Sequence, residues 1–159
     1  MADEKIELLR HTLATLAYRG GKAVRECPAE FAGFRASATS RTPAEILAHV
    51  GDLMDWGLSI ASGKQAWKNS TPLEWGKEVE RFFASLKAFD DFLASGAAVA
   101  VPPEKLFQGP VADALTHVGQ IAMLRRIAGT AMKGENYFVA DIAGGRVGRE
   151  QAAPKREFD

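Results

Sequence analysis

Apolar residues recur along this chain at intervals of three and four, and nowhere alternate with polar ones over a sustained run, so the pattern predicts helices. Four segments carry it. The first covers residues 4–26, where Ile6, Leu9, Leu13, Leu16 and Ala17 make one stripe, Gly20-Gly21 weakens the second half and Pro28 ends it. The second, 42–62, has the clearest start. Thr42 is an N-cap, Pro43 takes the first helical position, and Glu45 completes a capping box before Gly63 stops the helix. The third, 72–95, is announced by Ser70-Thr71, Pro72 and Glu74, and its stripe is Val79, Phe82, Phe83, Leu86, Phe89 and Leu93. The fourth, 110–133, opens at Pro110 and closes at Lys133-Gly134, a basic-then-glycine stop. Phe31 and Phe34 are expected to pack down as a lid from the connection at 28–41. Val99 to Val101 read as a strand fragment too short to make a sheet alone, and the tail, 134–159, reads as irregular. The expectation is an all-α fold, a four-helix bundle in a single domain over residues 1–159.

Composition narrows the class. With 47% hydrophobic residues in 159, the chain can bury a continuous core without a staple. One cysteine, Cys27, excludes an internal disulfide framework and fits a reducing compartment; its expected state is a half-buried, inert thiol. Nothing reads as a signal peptide or as a membrane span, so a cytoplasmic, soluble protein with no membrane partner is expected. Lysine plus arginine and aspartate plus glutamate stand at 20 each, and the short basic runs, Arg125-Arg126 and the tail, fit a solvated surface. That balance speaks against a nucleic-acid partner.

Candidate chemistry rests on the histidines, of which there are three. His11 falls off the apolar stripe of its helix and reads as a surface residue. His49 lies beside the stripe of Ile46, Val50 and Leu53. His117 follows Asp113 by four residues, so both project from one helix face, the face that Ile121 and Leu124 bury. Two imidazoles and a carboxylate make a sound divalent-metal set, and three protein ligands leave positions for water or substrate. The alternative is plain: hydrogen-bonded core histidines, with Asp113 favoured by its place near a helix start. Gln120, one turn beyond His117, and Trp56, two turns beyond His49, are candidate pocket residues. Asp52 and Glu45 share the second helix and read as solvated surface charges. Gly144-Gly145-x-x-Gly148 joins no strand to a helix and is not a dinucleotide loop.

With these residues in place, the sequence resembles the DinB-like superfamily of metal-dependent bundle proteins. The stretch Ser40-Arg-Thr-Pro-Ala-Glu-Ile-Leu-Ala-His49-Val resembles that family's capped second helix with its first metal histidine. Asp113-Ala-Leu-Thr-His117-Val-Gly-Gln120-Ile resembles its His-x3-His helix followed by a glutamine, with Asp113 in the place usually held by a histidine. A carboxylate keeps the capacity to ligate and shifts preference toward harder metals. The resemblance covers roughly residues 4–133 and leaves the tail unmatched. It implies an up-down-down-up bundle with a long crossover connection, nickel or zinc as the metal, and a homodimer. Relatives of this kind include thiol-dependent S-transferases and a maleylpyruvate isomerase branch that uses a low-molecular-weight thiol.

Two functions follow as expectations. The first is a metal-dependent enzyme of the thiol S-transferase or hydrolase type acting on a small-molecule ligand, with His49, Asp113 and His117 holding the divalent ion. The second is a non-enzymatic dimeric helical bundle that binds a small ligand or partner, its polar triad structural or degenerate. Two helices whose histidines each sit about seven residues from the start meet most simply if parallel, whereas the up-down-down-up course makes them antiparallel.

Overall fold

Local signals open and close each helix. In the computed structural model, which describes residues 3–159, α1 (Glu4–Val24) starts at Asp3, whose carboxylate accepts the Lys5 N–H. The capping box at Thr42 and Glu45 opens α2 (Pro43–Ala61), which ends at Gly63, where φ is +76°. There Lys64 N–H reaches back to the Ser59 carbonyl and Gly63 N–H to that of Ile60, which satisfies carbonyls the helix leaves open. The third helix, α3 (Trp75–Ala94), begins three residues later than 72. Glu74 is its N-cap, accepting from the amides of Gly76 and Lys77, because the Ser70 hydroxyl is spent elsewhere, on Asp52.

The last long helix departs furthest from its expected bounds. A short α4 (Pro103–Leu106), a π-helical turn (Phe107–Val111) and α5 (Ala112–Ile127) follow one another without a break. Pro110, expected at the helix start, lies inside the π turn: it has no N–H to give a regular turn, and the wider turn accommodates that loss. The helix ends at Ile127, not 133. Gly129 takes a φ of +79°, and the N–H groups of Gly129 and Thr130 cap the carbonyls of Arg126 and Arg125. Arg125-Arg126 before Gly129 is therefore the basic-then-glycine stop.

Close approaches fix the helix directions. A side chain on Gly57 would lie 2.7 Å from the Phe89 ring, and one on Gly51 would meet the Arg81 guanidinium. Residues 51 and 57 thus face 81 and 89 in the same order, so α2 and α3 run parallel. The connection at 62–74 returns along them, held by Ser70 on Asp52 and by the Leu73 N–H on Glu78. Arg10 pairs with Asp90, while Gly20 lies against Phe82, so α1 and α3 are antiparallel. That contact explains why Gly20 sits inside an unbroken helix: the Phe82 ring occupies the space its side chain would need, whereas a Cβ on Gly21 would make only ordinary contact with Phe83.

One cluster of buried apolar residues joins all four long helical stretches, with Leu13, Leu16, Leu47, Met54, Phe82, Phe89, Leu106 and Ile121 nearly inaccessible. Phe31 is buried and meets Trp75 edge-on at 5.9 Å, while Phe34 is half-buried. The tail is not wholly irregular. Two-residue strands, β1 (Gly134–Glu135) and β2 (Glu157–Phe158), pair antiparallel. Among the described residues no helix is long and apolar enough to cross a membrane.

Candidate metal centre

His49 projects from the second turn of α2, just past the capping box. Asp113 and His117 project from α5 one turn apart, and α2 packs against α5. His117 lies well inside the continuous helical stretch of residues 103–127, whereas His49 stays near the start of α2. That offset lets them meet on helices of opposite direction, which Trp56 beside Gly109 and His49 beside His117 establish.

One ligand atom from each of His49, Asp113 and His117 lies within 4.8 Å of the others. The His49 Nε2 is 3.6 Å from one Asp113 oxygen and the His117 Nε2 is 3.4 Å from the other. Both separations exceed a good N–H···O hydrogen bond, about 3.2 Å at most. They lie at or somewhat beyond the roughly 3.0–3.4 Å between donor atoms around an ion that binds each at about 2.1 Å, and each imidazole faces a different carboxylate oxygen. A small inward adjustment would bring all three onto one centre, and the three residues together could hold a metal ion.

The surroundings favour ligation. His117 Nδ1 lies 2.7 Å from the Gln120 Oε1, and in the tautomer that donates from Nδ1 to this oxygen the Nε2 lone pair faces Asp113 and His49. Burial is the main cause holding His49 below the ordinary histidine range, helped by the charges of His117 and Arg41 and opposed by Asp113. A neutral imidazole is the form a metal requires. The His49 and His117 side chains are 21% and 14% exposed, against 48% for Asp113, so the set opens to solvent on its carboxylate side.

Two clefts share His49. One, of about 740 Å³, is lined by Arg41, Ile46, His117, Gly119, Gln120, Met123 and their neighbours. The other, smaller and more polar, is lined by Arg41, Glu45, Asp52, Asn69 and Ser70. Gln120 therefore lies where a pocket residue was expected. Trp56 lines neither cleft. It packs against Trp67 at 5.7 Å, and Trp67 meets the edge of His49 at 5.6 Å. Trp67 and Arg41 are the neighbours that sequence reading missed. Trp67 sits in a polar connection and Arg41 just ahead of a helix cap, so neither falls on an apolar stripe. Asp52 is not a solvated charge: it is 4% exposed, accepts from the Ser70 amide and hydroxyl, and pairs with Arg81. Glu45 is committed to the Thr42 N–H and to Arg35. Cys27 is half-buried, and burial pushes its thiol up.

No family model matches this chain, and neither does any curated protein or solved structure compared with it.

Proposed function

We propose that the chain is a metal-dependent enzyme of the thiol S-transferase or hydrolase type, built on a DinB-like four-helix bundle. The observation that carries this reading is the convergence of His49, Asp113 and His117 at ligand-like spacing on an open cleft. The helix pairings support an up-down-down-up course, with residues 62–74 as the crossover between the two parallel helices. Nickel or zinc suits two imidazoles and one carboxylate. Bound there, such an ion lowers the pKa of a coordinated low-molecular-weight thiol or water, the activation both reaction types share. The residues do the rest. Gln120 holds the His117 ring in its ligating tautomer, Trp67 shields one side of His49, and the larger cleft receives the small molecule. A homodimer belongs to the same reading, and the exposed Leu8 and Phe107, which border an apolar groove between α1 and α4, offer it a surface.

Elemental analysis of the purified protein tests the centre. The expected result is about one divalent ion per chain, nickel or zinc, lost in both His49→Ala and Asp113→Ala while the helical content is kept. No metal after reconstitution with either ion leaves the non-enzymatic bundle, with its histidines as packing residues.

A further inference from the structure

From the side chains around the larger cleft, we infer that it takes a small oxyanion, a carboxylate or phosphate on an apolar body, and that Arg41 is the residue that recognises it. This deepens the metal-centre reading and rests on it for the chemistry that follows binding.

Three observations converge. The first is the state of Arg41. Its guanidinium is exposed, borders both clefts that share His49, and has no carboxylate within ion-pair reach among the described residues. Several other arginines are committed: Arg10 to Asp90, Arg35 to Glu45, Arg81 to Asp52 and Glu78, and Arg125 to backbone carbonyls. Glu45, one helical turn beyond Arg41, is the nearest acid along the chain, and it is occupied by Thr42 and Arg35. An arginine in this state offers a planar fork suited to two oxygens of a carboxylate or phosphate.

The second observation is charge. No aspartate or glutamate lines the larger cleft. Asp113, at its margin, is matched by the ion it would ligate: a divalent ion with two neutral imidazoles and one carboxylate leaves one net positive charge, and Arg41 adds a second. A cleft with low-dielectric walls and one sign of charge concentrates the opposite ion.

The third is shape. Ile46, Leu124 and Met123 line the cleft, and Met123 is 60% exposed, an apolar side chain left in water with no core to join. Gly119 stands between them in mid-helix. A Cβ there would meet nothing within 4 Å, unlike Gly20, Gly51 and Gly57, whose side-chain space a neighbour fills. That emptiness is cleft volume. A site with a cation at one side and apolar walls fits an amphiphilic anion.

The test follows the backbone amide shifts of Thr116, Gly119 and Gln120 during titration with hexanoate, hexyl phosphate and hexanol, on the zinc-reconstituted and the metal-free protein. The expected result is saturable binding of at least one anion, with hexanol at least tenfold weaker. Arg41→Gln should weaken the anion about tenfold or more and leave hexanol binding unchanged. Gly119→Leu, whose Cβ has open space and whose side chain would occupy the cleft, should abolish binding of all three probes. Whichever of hexanoate and hexyl phosphate binds tighter identifies the oxyanion. Anions held no better than hexanol, or held equally by Arg41→Gln, overturn the inference even if zinc binds stoichiometrically. Arg41-dependent anion binding in a protein that takes up no zinc upholds the oxyanion site and overturns the metal reading instead.

Discussion

Asp52 puts both carboxylate oxygens to use on the crossover and on α3: one accepts the Ser70 amide, the other the Ser70 hydroxyl and the Arg81 guanidinium. Burial alone would push this carboxyl up, but Ser70 and Arg81 outweigh it and hold the group below the ordinary aspartate value. A carboxylate with a depressed folded-state pKa contributes stability that is present above the unfolded value, about 3.8, and is lost as pH falls through the folded one. Asp52→Asn should therefore destabilise the protein by about 2 kcal/mol at neutral pH, because Ser70 and Arg81 lose a charged acceptor, although Glu78 still pairs the guanidinium. The gap from the parent should shrink in urea titrations run progressively below pH 4. His49 carries the opposite charge logic. Burial first, then His117 and Arg41, lower it from the ordinary histidine value, so protons should compete for this ligand only at lower pH than for an ordinary histidine. Metal retained against pH in a chelator-free gel filtration series measures this, and release centred above pH 6.5 would contradict it. Neither role of Asp52 was legible along the chain. Its partners lie 18 and 29 residues away, and spacing of that kind has no helical signature.

Helix ends were legible where one signal stood alone and misleading where two competed. Thr42-Pro43-x-Glu45 is unambiguous, and α2 starts there. The last helix offers two proline starts at its front, Pro102-Pro103 and Pro110, and two basic-then-glycine stops, at Gly129 and Gly134. Local propensity cannot choose between them; burial does. The earlier start places Leu106 and Val111 in the core, and the earlier stop turns Arg125 onto the carbonyls of Lys22, Ala23 and Arg25 at the end of α1. The candidate ligand pair Asp113 and His117 was readable because a four-residue offset fixes a shared face whatever the helix bounds. Its meeting with His49 needed the longer helix. Two glycines near the C-terminal half of this element should respond in opposite directions. Gly129→Ala forces a Cβ into left-handed backbone and should cost about 1 kcal/mol. Gly119→Ala meets open space in a regular helix and should add up to about 1 kcal/mol. Equilibrium unfolding of both variants measures the pair, and equal signs would refute the placement of the helix end.

At the scale of the molecule, the tail lies along α1 and reaches Phe83 of α3, away from His49, Asp113 and His117. Glu135, its carboxylate fully buried, accepts from the Tyr18 hydroxyl and from Lys22 Nζ at 2.6 Å, and Lys22 reaches Glu157 at 2.8 Å. The pairing of β1 with β2 brings both glutamates to that lysine, and Arg19 lies 4.0 Å over the Tyr137 ring. A stripe-based reading had no access to this, because Lys22 looks like a solvent-facing helix residue until a segment over a hundred positions away covers it. Removing Glu135 leaves the buried Lys22 with the more exposed Glu157 as its one carboxylate, whereas removing Lys22 as well leaves only Glu157, which water can reach, so the pair is costlier to break than to replace. Glu135→Gln alone should thus destabilise the protein by about 2 kcal/mol. The double variant Lys22→Met, Glu135→Leu should recover most of that loss, although Tyr18 then keeps an unsatisfied hydroxyl that costs about 1 kcal/mol. Zinc uptake should be unchanged in both, because His49, Asp113 and His117 share no hydrogen bond with this network. If the single and double variants lose equal stability, the ion pair is incidental and the tail is held by its strand pairing and by Val147 in the core. If zinc uptake falls with them, the tail and the metal centre are one cooperative unit, and the centre depends on a segment that the family resemblance leaves out.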